Sequence, residues 1–412
     1  MNRYVTIAIL LVAFLFPVIT KATECEEARR EEFRTSDGVV LAAKHYENSG
    51  RPIILIHGVA ANDRYFDIPY KHFSMARFLC RSGMDVWIVN LRGVGTSGYR
   101  SGTTRDFTID DNVIYDMPAI VDGVYQATGK KPVMLGHSMG AWVLSGYLQG
   151  LVYEHGSKVI ADRLIAKKRQ ELINGIIMLA PGISIRWEYS LKYLLKHPEI
   201  IKKYKESLIW ETNPLLESVA RSRILRVFLL AKEEVSPKLL RSLLWLPLNK
   251  IPFIGKDLWR LFDLGLHSLS EKTLLFYMAM NPENVDVEAA HVALKDGVDV
   301  ISGKVGIQLA NATKTKKPFS YYPGIFRSKP PARAYNYLQH LNDVMVPTLV
   351  LGGGKDVVVN HAAVYHDVFR EIGSTDKRYV DLPEYGHFDF FIAKNVEKDV
   401  YQLVADWVEA RN

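Results

Sequence analysis

The sequence predicts an α/β fold: a mostly parallel sheet with helices on both faces, interrupted by a large helical cap insertion. Three observations carry this. Continuous apolar runs of strand length at 52–56, 85–90 and 132–135 alternate with helical patterns at 73–81 and 109–125, and apolar strands alternating with helices mean a parallel sheet covered on both sides. One run passes directly into Gly136-His137-Ser138-Met139-Gly140, after which Ala141, Val143, Leu144, Tyr147 and Leu148 fall at helical spacing. The strand rhythm then stops between Ile183 and about Tyr335 and resumes at Pro347.

Taken in order, the chain opens with Asn2 and Arg3 before an apolar run over 4–19, then Thr20-Lys21-Ala22 and an acidic stretch over 24–32. Residues 1–22 have the layout of a secretory signal peptide. The alternative is an uncleaved N-terminal anchor, although the run is short for a spanning helix and contains Pro17. Either places the body of the protein outside the cytosol, periplasmic or secreted. The first part of the core, 31–182, starts with alternation over 32–46 around Asp37-Gly38, a hairpin signal. Strands over 52–56, 85–90, 132–135 and 175–180 follow, with helices over 73–81, 109–125 and 140–149. The cap, 183–335, is rich in Leu, Ile, Trp and Lys/Arg. Its residues 186–335 hold 24 Lys+Arg against 15 Asp+Glu, an excess of nine where the whole chain has +7. The second part of the core, 336–412, supplies strands over 347–351 and 377–382 and a closing helix over 396–410.

A chain of 412 residues that is 48% hydrophobic and 24% charged is an ordinary globular protein, which excludes a disordered or low-complexity function. The single run of like charge, Lys314-Thr315-Lys316-Lys317, reads as a solvated loop, and no nucleic-acid partner is expected. Two cysteines, Cys25 and Cys80, cannot make a disulfide framework. One bridge between them is open in an oxidising compartment, but Cys80 lies in a helical pattern and reads as a buried small hydrophobe. No His/Cys cluster has metal-ligand spacing, so neither metal nor cofactor is expected. The sequon Asn311-Ala312-Thr313 matters only on an exposed segment of a eukaryotic protein. Composition does not give the oligomeric state.

Gly136-His137-Ser138-Met139-Gly140 is a nucleophile elbow: a strained strand-to-helix turn exposes the serine Oγ, and the flanking glycines avoid a clash where strand and helix converge. A serine hydroxyl near neutral pH needs a general base, and the base needs a partner that holds its tautomer. In 350–356 an apolar strand ends in three glycines and then Asp356, at the sheet edge where catalytic side chains gather. After the last strand, Tyr385-Gly386-His387-Phe388-Asp389-Phe390 offers His387, completing the order Ser, Asp, His. Asp381 and Asp389 are the competing acids. His137 adjoins the nucleophile but is expected to point away, and His340, His361 and His366 read as packed or solvated. Oxyanion donors are expected from the backbone N–H of Met139 and, in the turn His57-Gly58-Val59, from that of Val59.

His57-Gly58, Arg92-Gly93-Val94-Gly95-Thr96-Ser97, Gly136-His137-Ser138-Met139-Gly140, Asp356 and Gly386-His387 together resemble the successive signatures of the α/β-hydrolase fold. The resemblance covers 35–182 and 336–412. It implies a mostly parallel eight-stranded sheet, a Ser138, Asp356 and His387 triad, and an oxyanion hole at Val59 and Met139, with residues 92–97 as a structural loop and Ser97 as a decoy. A narrower likeness is carried by Asp85-Val86-Trp87, Tyr115-Asp116-Met117-Pro118-Ala119, Asp343-Val344-Met345-Val346-Pro347-Thr348 and residues 385–390. These resemble the acid lipases of gastric and lysosomal type, although Met139 stands where that branch carries glutamine.

The expected activity is hydrolysis of carboxylic esters, lipid or other apolar acyl esters, through an acyl-enzyme on Ser138. The same residues would serve an acyltransferase or a thioesterase, amidase or C–C hydrolase, and a non-catalytic binding protein on this fold is the alternative of a different class. Residues 239–262 alternate bulky apolar side chains with cations. Such a segment either closes on the mouth of the core or lies in a lipid interface, so a membrane surface is a second expected partner.

Overall fold

The computed structural model describes residues 25–98, 106–186, 234–235, 280–281, 283–299, 301–324, 327–356 and 358–411. The leader expected over 1–22 and the segment 239–262 lie outside these. The chain enters the sheet through an antiparallel hairpin of β1 (Arg29–Arg34) and β2 (Val40–Tyr46). Gly38 turns it at φ 89°, a left-handed conformation that a side chain would oppose. Strands β3 (Pro52–Ile56), β4 (Asp85–Val89) and β5 (Val133–His137) are buried along their whole lengths, as apolar strands of a doubly covered sheet must be.

A separate hairpin of β6 (Leu151–Glu154) and β7 (Lys158–Ala161) comes next, then β8 (Gly175–Leu179). Inside the insertion β9 (Glu234–Val235) pairs with β10 (Ile301–Ser302), so the described part of the expected helical cap also contains a short two-stranded sheet. Strands β11 (Thr348–Gly353) and β12 (Lys377–Leu382) complete the set. Eight of these strands form one sheet in the order β1-β2-β4-β3-β5-β8-β11-β12. Every pairing from β4 across to β12 is parallel, and β2 is antiparallel to both its neighbours.

Because side chains alternate along a strand, the central strands feed two apolar layers. Ile54, Ile56, Met134, Ile176 and Met178 pack with α2 (Met117–Thr128) and α3 (Met139–Leu148), and Ile53, Leu55, Val133, Leu135 and Ile177 pack with α1 (Met75–Arg81) and the C-terminal helix. Ser74 caps α1 by accepting from the Arg77 N–H, and Gly129 ends α2 at φ 67°. The helix expected over 109–125 is broken: one turn at Ile109–Asp111 runs into a wider π-helical turn at Asn112–Asp116 before α2 begins. That turn carries Asp116, fully buried, onto Arg92, which donates from Nε to Asp116 at 2.8 Å and from two further nitrogens to Asp37 at 2.8 and 3.0 Å. The 92–97 loop is thereby fastened to the opening hairpin. Ser97 has a structural place in it, donating to Asn90 O at 2.6 Å and accepting from the Ala42 N–H at 2.7 Å.

One expectation changes. Cys80 is buried but is not a free hydrophobe, because it is disulfide-bonded to Cys25, 55 residues earlier. Helix α1 turns Cys80 toward the segment just before β1, and the two Cα atoms stand 5.7 Å apart, within bridging distance. Asn311 of the sequon is buried, at 2% exposure, with its side chain bonded to Gly324 O and the Arg327 N–H, so in the folded protein it is closed to modification.

Candidate active site

Ser138 joins β5 to α3 with φ 51° and ψ −116°. A non-glycine residue in such a conformation costs on the order of 1–3 kcal/mol and persists only where its surroundings over-determine it. Here they do. The Ser138 N–H donates to Leu179 O at 3.0 Å, and its carbonyl accepts from the N–H groups of Ala141 at 3.1 Å and Gly182 at 2.9 Å. The glycines on either side answer to backbone, not to side chains. A Cβ on Gly136 would lie 2.6 Å from the Gly140 carbonyl carbon, and one on Gly140 would overlap the Ile56 carbonyl oxygen and stand 2.8 Å from that of His57. Gly182, which sequence reasoning passed over, backs the same turn: a Cβ there would lie 3.2 Å from Ser138 Oγ. Its position just past the end of β8, in Ala180-Pro181-Gly182, was the available signal.

The loop after β12 brings His387 over this serine. Nε2 of His387 lies 3.0 Å from Ser138 Oγ, and Nδ1 lies 2.8 Å from Asp356 Oδ2. A carboxylate at Nδ1 holds the proton there, which leaves Nε2 free to accept from the serine hydroxyl. Asp356 is itself fixed, because its other oxygen accepts from the N–H groups of Val358 and Val359, both at 2.8 Å. All three side chains are buried. Both ring nitrogens of His387 are thus engaged, and neither competing acid reaches them. Asp381 is exposed on the edge strand β12. Asp389 is buried and accepts from the Asn281 N–H and from Asn284 Nδ2, both at 3.1 Å. Burial pushes its pKa up to about 7, against the lowering effect of these donors.

The His137 ring lies 4.8 Å from that of His387 and donates from Nε2 to the carbonyl oxygen of His387 at 3.0 Å. Burial and the neighbouring His387 hold its pKa well below the ordinary imidazole value, so it acts as a neutral tether on the backbone of the His387 loop. His340 stacks on Tyr335, and His366 sits edge-on to Tyr365. His361 starts a short helical turn at His361–Ala363.

Met139 is the first residue of α3, so by position its N–H has no partner within the helix. Val59 follows β3 in a turn oriented by His57. That ring donates from Nδ1 to Gly58 O at 2.8 Å and accepts at Nε2 from the Leu91 N–H at 3.1 Å, with burial keeping it neutral. Since C=O and N–H point in opposite directions across a trans peptide, tying back the Gly58 carbonyl aims the Val59 N–H the other way. Val59 and Met139 line one cavity together with Gly58, Leu91, Val94, Phe107 and Val305. Among the described residues no group of His, Cys, Asp or Glu is arranged to hold a metal ion, and no helix is long and apolar enough to cross a membrane.

The chain is similar to several known lipases. "Lipase member K" of Homo sapiens is 22% identical over 360 residues, covering 85% of this chain and 77% of that protein. "Lipase member N" of Homo sapiens is 22% identical over 399 residues, covering 92% and 87%. The gastric triacylglycerol lipase of Mus musculus reaches 31% identity, over 128 residues that cover 27% of this chain and 32% of that protein. Among solved structures, that of DcsB in complex with its substrate analogue superposes with a TM-score of 0.50 at 12% identity, over 93% of this chain and 98% of that one. The Alpha/beta hydrolase family matches residues 53–397, which is most of the chain and takes in the six parallel strands from β3 to β12 and the turn at Ser138, and the protein belongs to this family.

Proposed function

We propose that the protein hydrolyses carboxylic esters with apolar acyl groups, through a covalent acyl-enzyme on Ser138. The observation that carries this is the hydrogen-bonded chain from Ser138 Oγ to His387 to Asp356 at the strained elbow. Ser138 Oγ attacks the ester carbonyl carbon while His387 Nε2 takes its proton, and Asp356 stabilises the imidazolium that forms. The tetrahedral oxyanion receives hydrogen bonds from the N–H groups of Val59 and Met139. The C–O bond to the alcohol then breaks, with His387 returning the proton to the departing oxygen. Water, deprotonated by His387, attacks the acyl-enzyme, and collapse releases the carboxylic acid and restores the serine. Likeness to lipases supports an apolar acyl group.

Export is part of the same proposal. A leader-like N-terminus and the Cys25–Cys80 bridge, a bond that persists in oxidising compartments, point the same way. Membrane association through 239–262 is tested by flotation with anionic liposomes at low salt, and failure to float discards it. For the activity, Ser138→Ala is compared with wild type on p-nitrophenyl esters of several chain lengths, with and without an added alcohol. Loss of turnover in the variant supports the proposal, and turnover at the wild-type rate overturns it. Ester products formed from the alcohol in place of acid would assign the chain to acyl transfer.

A further inference from the structure

We propose that Asp299, in the segment where the insertion returns to the core, is a positioning residue for the oxyanion turn. This rests on the reading of Val59 as an oxyanion donor. The turn after β3 is clamped from two sides. His57 fixes its upstream half through Gly58 O, as described above. Its downstream half contains Ala60 at φ 56°, a left-handed conformation that alanine does not hold by itself.

What holds it is the insertion. The Asp299 N–H donates to Ala60 O at 3.0 Å, Ala61 bridges to Val298, and the Asn62 N–H donates to Gly297 O at 3.1 Å. Asn62 Nδ2 reaches Asp296 O at 3.0 Å and Asp299 Oδ2 at 3.3 Å. That same carboxylate oxygen accepts from the Gly95 N–H at 2.7 Å, which joins the 92–97 loop to the clamp. One carboxylate therefore locks two core loops to the returning insertion. Without the carboxylate the segment 297–299 loses its ties to Asn62 Nδ2 and Gly95, the backbone bonds through which it holds Ala60 loosen, and as Ala60 relaxes toward the right-handed region the peptide that carries the Val59 N–H swings with it. The insertion thus builds part of the catalytic geometry. The separation of 237 residues between Asn62 and Asp299 hides this in the sequence.

The test uses the purified full chain and p-nitrophenyl butyrate, with kcat, KM and Tm measured for wild type, Asp299→Ala, Asp299→Asn, Asn62→Ala and Val59→Pro. Asp299→Ala is expected to lower kcat about 10- to 100-fold, with KM within about threefold, because a misplaced donor costs transition-state and not ground-state binding. The side-chain oxygen of Asp299→Asn still accepts from Gly95 and Asn62, so this variant recovers most of the rate, a rescue that loss of bulk alone does not explain. Asn62→Ala lowers kcat in the same direction and stands in if Asp299→Ala does not fold. Val59→Pro removes the N–H itself and is expected to lose about 100- to 1,000-fold. If Val59→Pro is folded and loses its activity while Asp299→Ala keeps kcat within about threefold of wild type, the role of Asp299 is overturned. If folded Val59→Pro turns over like wild type, the oxyanion assignment falls and the role of Asp299 with it.

Discussion

Replacing Asp356 with asparagine changes one atom, and the surroundings of the side chain determine what that change does. Oδ1 accepts from two backbone N–H groups, those of Val358 and Val359, at 2.8 Å each, while Oδ2 faces His387 Nδ1 at 2.8 Å. An amide keeps its oxygen where two donors converge, since an NH2 there would leave both unpaired at a cost of about 1–3 kcal/mol each. The NH2 of Asp356→Asn must therefore face Nδ1, and two donors cannot share a hydrogen bond. The imidazole answers by moving its proton to Nε2, the nitrogen that lies 3.0 Å from Ser138 Oγ. His387 is then a donor where a base is required. Misplacing the tautomer in this way lowers kcat by about 10,000-fold in a serine triad, roughly 5 kcal/mol of transition-state stabilisation. Stability should change little, because the amide is isosteric and retains both backbone bonds. Steady-state hydrolysis of p-nitrophenyl butyrate, with Tm as the control for folding, measures this. A kcat within about tenfold of wild type in folded Asp356→Asn would refute the reasoning.

Gly140→Ala should lower both activity and Tm, since its Cβ would overlap the Ile56 carbonyl and push β3 away from the elbow; a fully active, fully stable variant contradicts this. Cys80→Ser opens a bridge that closes a 55-residue separation, worth about 4 kcal/mol by chain entropy, and urea unfolding of wild type against variant under non-reducing conditions reads the loss. Asp389 and Asp110 are both buried with pKa values pushed up, mainly by burial, to about 7 and about 6. Ordinary carboxyls titrate near 4, so between there and pH 7 the folded state binds more protons than the unfolded one, and these two groups make stability fall as pH rises through that window. Asp389→Asn should flatten the difference in urea midpoint between pH 5 and pH 8, and an unchanged difference would contradict the assignment.

The parallel core was legible because its strands are buried on both faces and therefore apolar throughout: 52–56, 85–90 and 175–180 each lie within a residue of the strand ends observed. The site was legible for a related reason. Glycines mark places where backbones converge, so Gly136, Gly140, Gly353 and Gly386 punctuated the ends of strands and drew attention to Ser138, Asp356 and His387. The β6–β7 hairpin and α4 (Arg163–Glu171) were missed. Their strands are four residues long and only partly buried, which leaves little periodicity, although His155-Gly156 at φ 49° and 78° and the capping Asp162 were signals of a turn and a helix start. Other long-range pairings were not legible. His137 with the His387 carbonyl and Asp299 with Gly95 are contacts between segments with no shared pattern, set by how the loops meet after the sheet has formed.

The central claim is that Ser138 is the nucleophile, and mapping the adduct of a fluorophosphonate probe by mass spectrometry tests it most directly. The expected result is a single adduct on the peptide containing Ser138, with no labelling of Ser138→Ala. An adduct on another serine, or labelling that survives the substitution, would contradict it.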